Sequence, residues 1–211
     1  MEGVPALSAA PLPNIHVRGT IASVTANALT VNTNRGTVTL GLAPETKIVE
    51  ALPASRSDIK PNSFLGVTNI PGPNNAQAVG VLLLPDAFRN APANAGWDWP
   101  GSGSGSSMTN GTVELASHMT NGTVAPVSHM TNGTVSAAPG SGPLTVTLNY
   151  TSQSGSELMT IPANAPVTRI TFSNRSALKT GSHLFVFAAN NNGQLGAAII
   201  VVGAPGVTPP M

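Results

Sequence analysis

Chemistry in this sequence would have to come from few side chains. The 211 residues hold four His, eight carboxylates, nine basic residues and no Cys, so thiolate nucleophiles, thiolate metal sites and disulfides are excluded. The spacing richest in chemical content is His118-Met119 and His129-Met130, the same soft-ligand pair recurring after 11 residues, and His with Met suits Cu(I). These four residues form a candidate copper site, the alternative to the expectation that the chain carries no cofactor. A Met at a strand position serves equally well as core, and a His in a linker equally well as polar surface.

No catalytic set accompanies them. The carboxylates are scattered without a close pair, His16 and His183 stand alone on expected strands, and general acid–base work needs more than that. Gly-rich phosphate loops ending in Lys-Ser/Thr, dinucleotide fingerprints and zinc-helix motifs do not occur. The chain is therefore read as a non-enzyme. Arg56 with Lys60 and Arg175 with Lys179 have the charge to hold an anion, and also the length to cover carbonyls at the end of a helical turn. Trp97 and Trp99 flank Asp98 and point the same way in extended chain. Such a pair either stacks on a sugar, as in a cell-wall attachment module, or pins its segment to a neighbouring domain.

The elements that must position these residues are strands. Hydrophobic residues make up 41% and charged residues only 8%, while Gly (22), Pro (19), Val, Thr and Asn are abundant. That composition favours strands and turns and lacks the Glu, Lys, Gln and Arg of helix surfaces. A net charge of +1 leaves no electrostatic footprint for nucleic acid or an anionic membrane, and no apolar run is long enough for a membrane span. Ala, Pro and Ser dominate the first residues, as they do at the start of many exported mature proteins. The expected location is secreted, in the periplasm or on the extracellular surface.

An internal repeat organises the chain. Residues 56–67 (Arg-Ser-Asp-Ile-Lys-Pro-Asn-Ser-Phe-Leu-Gly-Val) align without a gap to residues 175–186 (Arg-Ser-Ala-Leu-Lys-Thr-Gly-Ser-His-Leu-Phe-Val), 119 positions on. Around this anchor Gly19-Thr20-Ile21 matches Gly133-Thr134-Val135, Leu29-Thr30-Val31 matches Leu144-Thr145-Val146, and Thr46-Lys47-Ile48 matches Thr168-Arg169-Ile170. The expected fold is all-β: two tandem small OB-like β-barrel or sandwich domains, each with at most one short helical turn. Residues 1–14 are an extended segment, 15–89 and 130–203 the two domains, 90–129 the connector and 204–211 a tail. The continuously apolar final strands, Ala78 to Leu84 and Leu195 to Val202, are expected to be buried on both faces.

The anchor, the Met-Thr-Asn-Gly-Thr-Val that opens the second copy and the Val207-Thr208-Pro209-Pro210-Met211 ending resemble an uncharacterised family of secreted proteobacterial proteins, a domain of unknown function. The resemblance covers both repeats and implies export and tandem β-domains; it brings no catalytic residues. The chain departs from that pattern in its scarcity of charge and in its connector. There Met-Thr-Asn-Gly-Thr-Val begins at Met108, Met119 and Met130. One unit starts the second domain, and the others are spare strands that lie on a sheet edge of the same molecule, fill the edge of a neighbour, or are a tolerated loop expansion. Met108, Asn110, Val113, Asn121 and Val124, with Trp97 and Trp99, are the candidate interface. A secreted structural or surface protein that assembles with copies of itself is the function these features suggest.

Overall fold

Runs of Thr, Val, Ile and Leu broken by Gly, Asn and Pro become strands almost everywhere. The computed structural model describes residues 15–89, 94–100, 105–115, 142–150, 155–191 and 193–211. Its strands are β1 (Ile15–Val24), β2 (Ala28–Thr33), β3 (Gly36–Ala54), β4 (Phe64–Ile70), β5 (Ala76–Leu84), β6 (Asn94–Trp97), β7 (Ser106–Leu115), β8 (Leu144–Asn149), β9 (Ser156–Ile161), β10 (Val167–Phe172), β11 (His183–Asn191) and β12 (Gln194–Gly203). The helical content described is three 3-10 turns, Arg56–Asp58, Asp86–Phe88 and Arg175–Ala177, and no helix among these residues is long and apolar enough to cross a membrane.

β1, β2, β3, β12 and β11 form a closed five-stranded barrel, β11 returning to β1. Every contact is antiparallel except β3 with β12, which is parallel. In β2, Leu29 and Val31 point into the barrel and are fully buried while Thr30 and Asn32 face outward, the alternation a half-buried strand requires. The barrel thus takes three strands from the first part of the chain and two from its end. The other strands make a second cycle of pairings, β4 to β7, β7 to β8, β8 to β9, and a short parallel contact of β9 with β5, which pairs with β4. β10 joins the two, antiparallel to β3 and parallel to β5, and β6 pairs with β7.

The two cycles correspond residue by residue. Leu65 faces Gly111 as Leu184 faces Gly19, and Val81 lies beside Val167 as Ile200 lies beside Ile48. The register slips between Thr68 and Asn69 in one and between Phe187 and Ala188 in the other, again 119 positions apart. In the seam, Ala51 pairs with Ile170, its own counterpart at that offset, so the seam reads the same from either strand. By this register Ile48 corresponds to Val167. The sequence match of Thr46-Lys47-Ile48 to Thr168-Arg169-Ile170 is three residues out, because a triplet of common strand residues cannot specify register. The counterpart of β1 is β7, which carries the first Met-Thr-Asn-Gly-Thr-Val unit. The third unit, which sequence matching put there, lies outside the described residues.

The anchor motifs are the corners where the chain passes from one cycle to the other. Each makes its 3-10 turn at the start of the motif, Arg56–Asp58 and Arg175–Ala177, then a residue with positive φ, Asn62 at 66° and Gly181 at 86°. That bend lets Asn62 N donate to Val113 O while Val113 N donates to Ser63 O (2.9 and 2.8 Å), and Gly181 N donate to Ile21 O while Ile21 N donates to Ser182 O (2.8 and 3.0 Å). Leu178 is buried in the barrel core and Ile59 in the apolar cluster of the second cycle.

A third apolar cluster lies between the cycles and includes Val49, Ala51, Leu82, Ile170, Phe185 and Val201. From Gly80 to Leu83 in β5 and from Ile199 to Val202 in β12 both faces are covered: Val81 and Ile200 point into the cores of their own cycles and Leu82 and Val201 into the shared cluster, which accounts for the unbroken apolar sequence there. Truncating the fully buried Ile200 to Ala should cost about 2–5 kcal/mol by chemical denaturation. Asn62→Val, a β-branched residue forced to positive φ, should cost about 1–2 kcal/mol while Asn62→Gly leaves stability within about 0.5 kcal/mol.

Candidate functional site

The densest cluster of ionisable and aromatic groups forms where the connector meets the barrel. His16 and Arg18, two apart on β1, share one face of the strand and sit opposite Phe187 and Phe185 of β11. Beyond β6 the chain brings Asp98 onto them. His16 Nδ1 lies 2.6 Å from Asp98 Oδ1, and Arg18 donates from Nη1 and Nη2 to the two carboxylate oxygens at 2.8 Å each. Arg18 Nε donates to the main-chain oxygen of Met211 at 2.7 Å, and its guanidinium lies 4.8 Å from the centre of the Phe185 ring, within cation–π range.

Trp97 closes the cluster from the side. Its ring stacks on Phe185 at 5.5 Å and 21°, lies 4.4 Å from His16 and meets Phe187 edge-on at 5.9 Å. Only 8% of Trp97 is exposed, and its Nε1 is buried without a hydrogen-bond partner. A ring covered in this way has no free face for a sugar. Trp99 is half-buried against the same cluster, and its main-chain N–H donates to Ser106 Oγ, which in turn donates to the main-chain oxygen of Trp97. Both indoles therefore hold the connector to the body of the protein.

The paired Arg18 hydrogen bonds hold the Asp98 carboxyl well below the usual carboxylate range; burial opposes this, and His16 adds a smaller lowering. A carboxylate orienting an imidazole is half of a nucleophilic triad, yet among the described residues no hydroxyl is hydrogen-bonded to His16, and Trp97, Phe185 and Phe187 crowd its ring. The geometry is that of a clasp joining three distant parts of the chain.

A second polar cluster is built around β7. Ser107 Oγ donates to Asn69 Oδ1 (2.8 Å), Asn69 Nδ2 to Thr109 Oγ1 (3.0 Å), Thr109 Oγ1 to Glu157 Oε2 (2.9 Å), and Tyr150 OH to the same carboxylate oxygen (3.3 Å). This chain satisfies the buried Asn69 and Thr109, as interior polar groups demand. Of the expected interface residues, Met108, Asn110 and Val113 are buried wall residues of β7. Asn121 and Val124, and the candidate copper ligands His118, Met119, His129 and Met130, lie outside the described residues. Among the described residues no group of three or more His, Asp or Glu is placed to hold a metal ion. The anchor arginines bind main-chain oxygens: Arg56 donates to Gly142 O at 2.6 Å, and Arg175 to Ala26 O and Ala43 O.

Sequence reasoning singled out Trp97 and Trp99 and passed over His16, Arg18 and Asp98. The Asp lay in view between the two Trp residues, but its partners are 80 and 82 positions away. Comparison with protein-family models, curated proteins and solved structures gives no match.

Because the Asp98 carboxyl is held low in the folded state, the stability it contributes is complete above the ordinary carboxylate value of about 3.9 and is lost as pH falls below it. Asp98→Asn should lower stability at pH 7 by on the order of 1 kcal/mol, a figure reduced for a side chain 55% exposed. It should also shrink the loss seen between about pH 4 and pH 2 in thermal melts.

Proposed function

We propose that this protein is a secreted, non-catalytic structural component, built from two OB-like modules related by duplication, that associates with copies of itself. The observation that carries this is the fate of the Met-Thr-Asn-Gly-Thr-Val sequence: one unit, Met108–Val113, pairs as a strand between β4 and β8, and the chain holds two further units identical to it. A strand that already matches a wall position of this fold is a ready donor to the same position in another molecule. The scarcity of charge supports the reading, since a net charge of +1 leaves little self-repulsion to keep copies apart. The 119-residue correspondence of the second half of β3, the corner, β4 and β5 with β10, its corner, β11 and β12, with matched bulges, supports duplication, each module exchanging strands with the other across the β3–β10 seam.

Sedimentation of the full chain over a hundredfold concentration range tests this, with negative-stain microscopy of the most concentrated sample. Assemblies that grow with concentration and form regular filaments or sheets are expected, and deletion of residues 117–137 should abolish them while leaving the melting temperature within about 3 °C. A single 21.2 kDa species at every concentration would refute self-association.

A further inference from the structure

The β7 position is specified in unusual detail. Met108 and Val113 are buried, and Thr109 is fully enclosed and hydrogen-bonded to Asn69 and Glu157. Asn110 crosses over Gly66, where a Cβ would come within 2.8 Å of its Oδ1. Gly111 runs against β8, where its own Cβ would meet Asn149 O at 2.9 Å and Leu148 Cβ at 3.0 Å. Thr112 Oγ1 accepts from Arg89 Nη1 at 2.8 Å. All six residues are thus selected by their surroundings, and all six recur unchanged at 119–124 and 130–135.

The flanks separate the two spare units. Two positions beyond Val113 stands Leu115, opposite Val146 of β8; the second unit has Pro126 there and the third Ala137. Proline cannot donate to the ladder, so the second unit is the poorer fit. Two positions before Met108 stands Ser106, whose hydroxyl bridges Trp97 O and Trp99 N; both spare units keep it, as Ser117 and Ser128. Ser107, which donates to Asn69 Oδ1, is replaced in both by a histidine, His118 and His129, whose imidazole also carries an N–H donor; what further separates the two is the link to β8. With the third unit in place the link to β8 shortens from residues 116–143 to residues 138–143, which include Pro139-Gly140-Ser141-Gly142, turn-forming residues at hairpin length. The corresponding link from β1 to β2 is also a short turn, residues 25–27. The lengthened link on the other side costs little, because closure entropy grows only logarithmically with length.

We propose that the wall position between β4 and β8 is a strand-binding site with two occupants from the same molecule: residues 130–135 take it in exchange for Met108–Val113, so the barrel exists in two forms that differ by 22 positions of chain. The exchange is independent of self-association, since each form is a complete monomer.

Cysteine trapping tests this in a chain that has no Cys of its own. Thr112 faces Asn149 across β7 and β8, so Thr112→Cys with Asn149→Cys reports the first form, and Thr134→Cys with Asn149→Cys the second. Oxidised at low concentration, the second pair should give a monomeric disulfide in at least a tenth of the yield of the first. No disulfide from the second pair, while the first forms, would overturn the proposal, and so would disulfide-linked dimers alone, which would place the third unit in another molecule. Should the cysteine variants fail to fold, Gly111→Val and Gly133→Val decide: each alone should melt within a few degrees of the parent and the pair together should melt far lower. A Gly111→Val protein as unstable as the double variant would overturn it.

Discussion

The parallel contact between β3 and β12 is the constraint on which the other pairings depend. It joins Gly41 to Gly196 and Glu50 to Val202, and without it neither β2 nor β11 could belong to a closed wall. With so few charged residues, ion pairs such as Arg18–Asp98 contribute only locally, and a closed barrel satisfies main-chain donors and acceptors while leaving few edges open to further pairing. The cost is a non-local closure, because the strands that complete the barrel are at opposite ends of the described chain.

The seam between β3 and β10 follows from that closure. Once β3 is held by β12 along its second half, its other edge accepts β10, and the outer faces of both cycles are left apolar toward each other. The shared cluster fills that space with Phe185, Phe187, Ile199 and Val201 from β11 and β12 and with Trp97 from the connector. The clasp of Asp98 on His16 and Arg18 sits at its rim, where a half-exposed carboxylate keeps contact with water while the indole beside it is buried. The tail completes the cover: Thr68 Oγ1 donates to Pro210 O at 3.2 Å, and Pro210 lies so close to Gly80 that a Cβ there would approach within 2.5 Å. Glycine at position 80 is therefore a packing requirement of the docked tail.

Much of this was legible in the residues. Alternation in Leu29-Thr30-Val31 and the unbroken apolar runs of β5 and β12 appear as a half-buried and a largely buried strand, and both anchor motifs form a 3-10 turn followed by a positive-φ residue, since each depends on local periodicity or on residues near one another in the chain. The clasp was not legible: Asp98 meets Arg18 only because β1 and the connector are brought together by strands closing elsewhere. The polar chain from Ser107 to Glu157 was invisible for the same reason, its members being ordinary strand and turn residues until three strands align them. The place of β7 was ambiguous in a deeper sense, because three identical hexapeptides carry no information about which of them fills one position.

The amino-acid sequence by itself determined the strand class, the absence of thiol chemistry, the low charge, and the anchors with their 119-residue offset, because these follow from composition and from residues near one another in the chain. Only the tertiary structure decided which strands share the barrel, which hexapeptide unit pairs with β4 and β8, and that His16, Arg18 and Asp98 meet. Those outcomes depend on register and closure between segments far apart, and they are selected by the summed fit of whole walls and cores, not by the preference of any one segment.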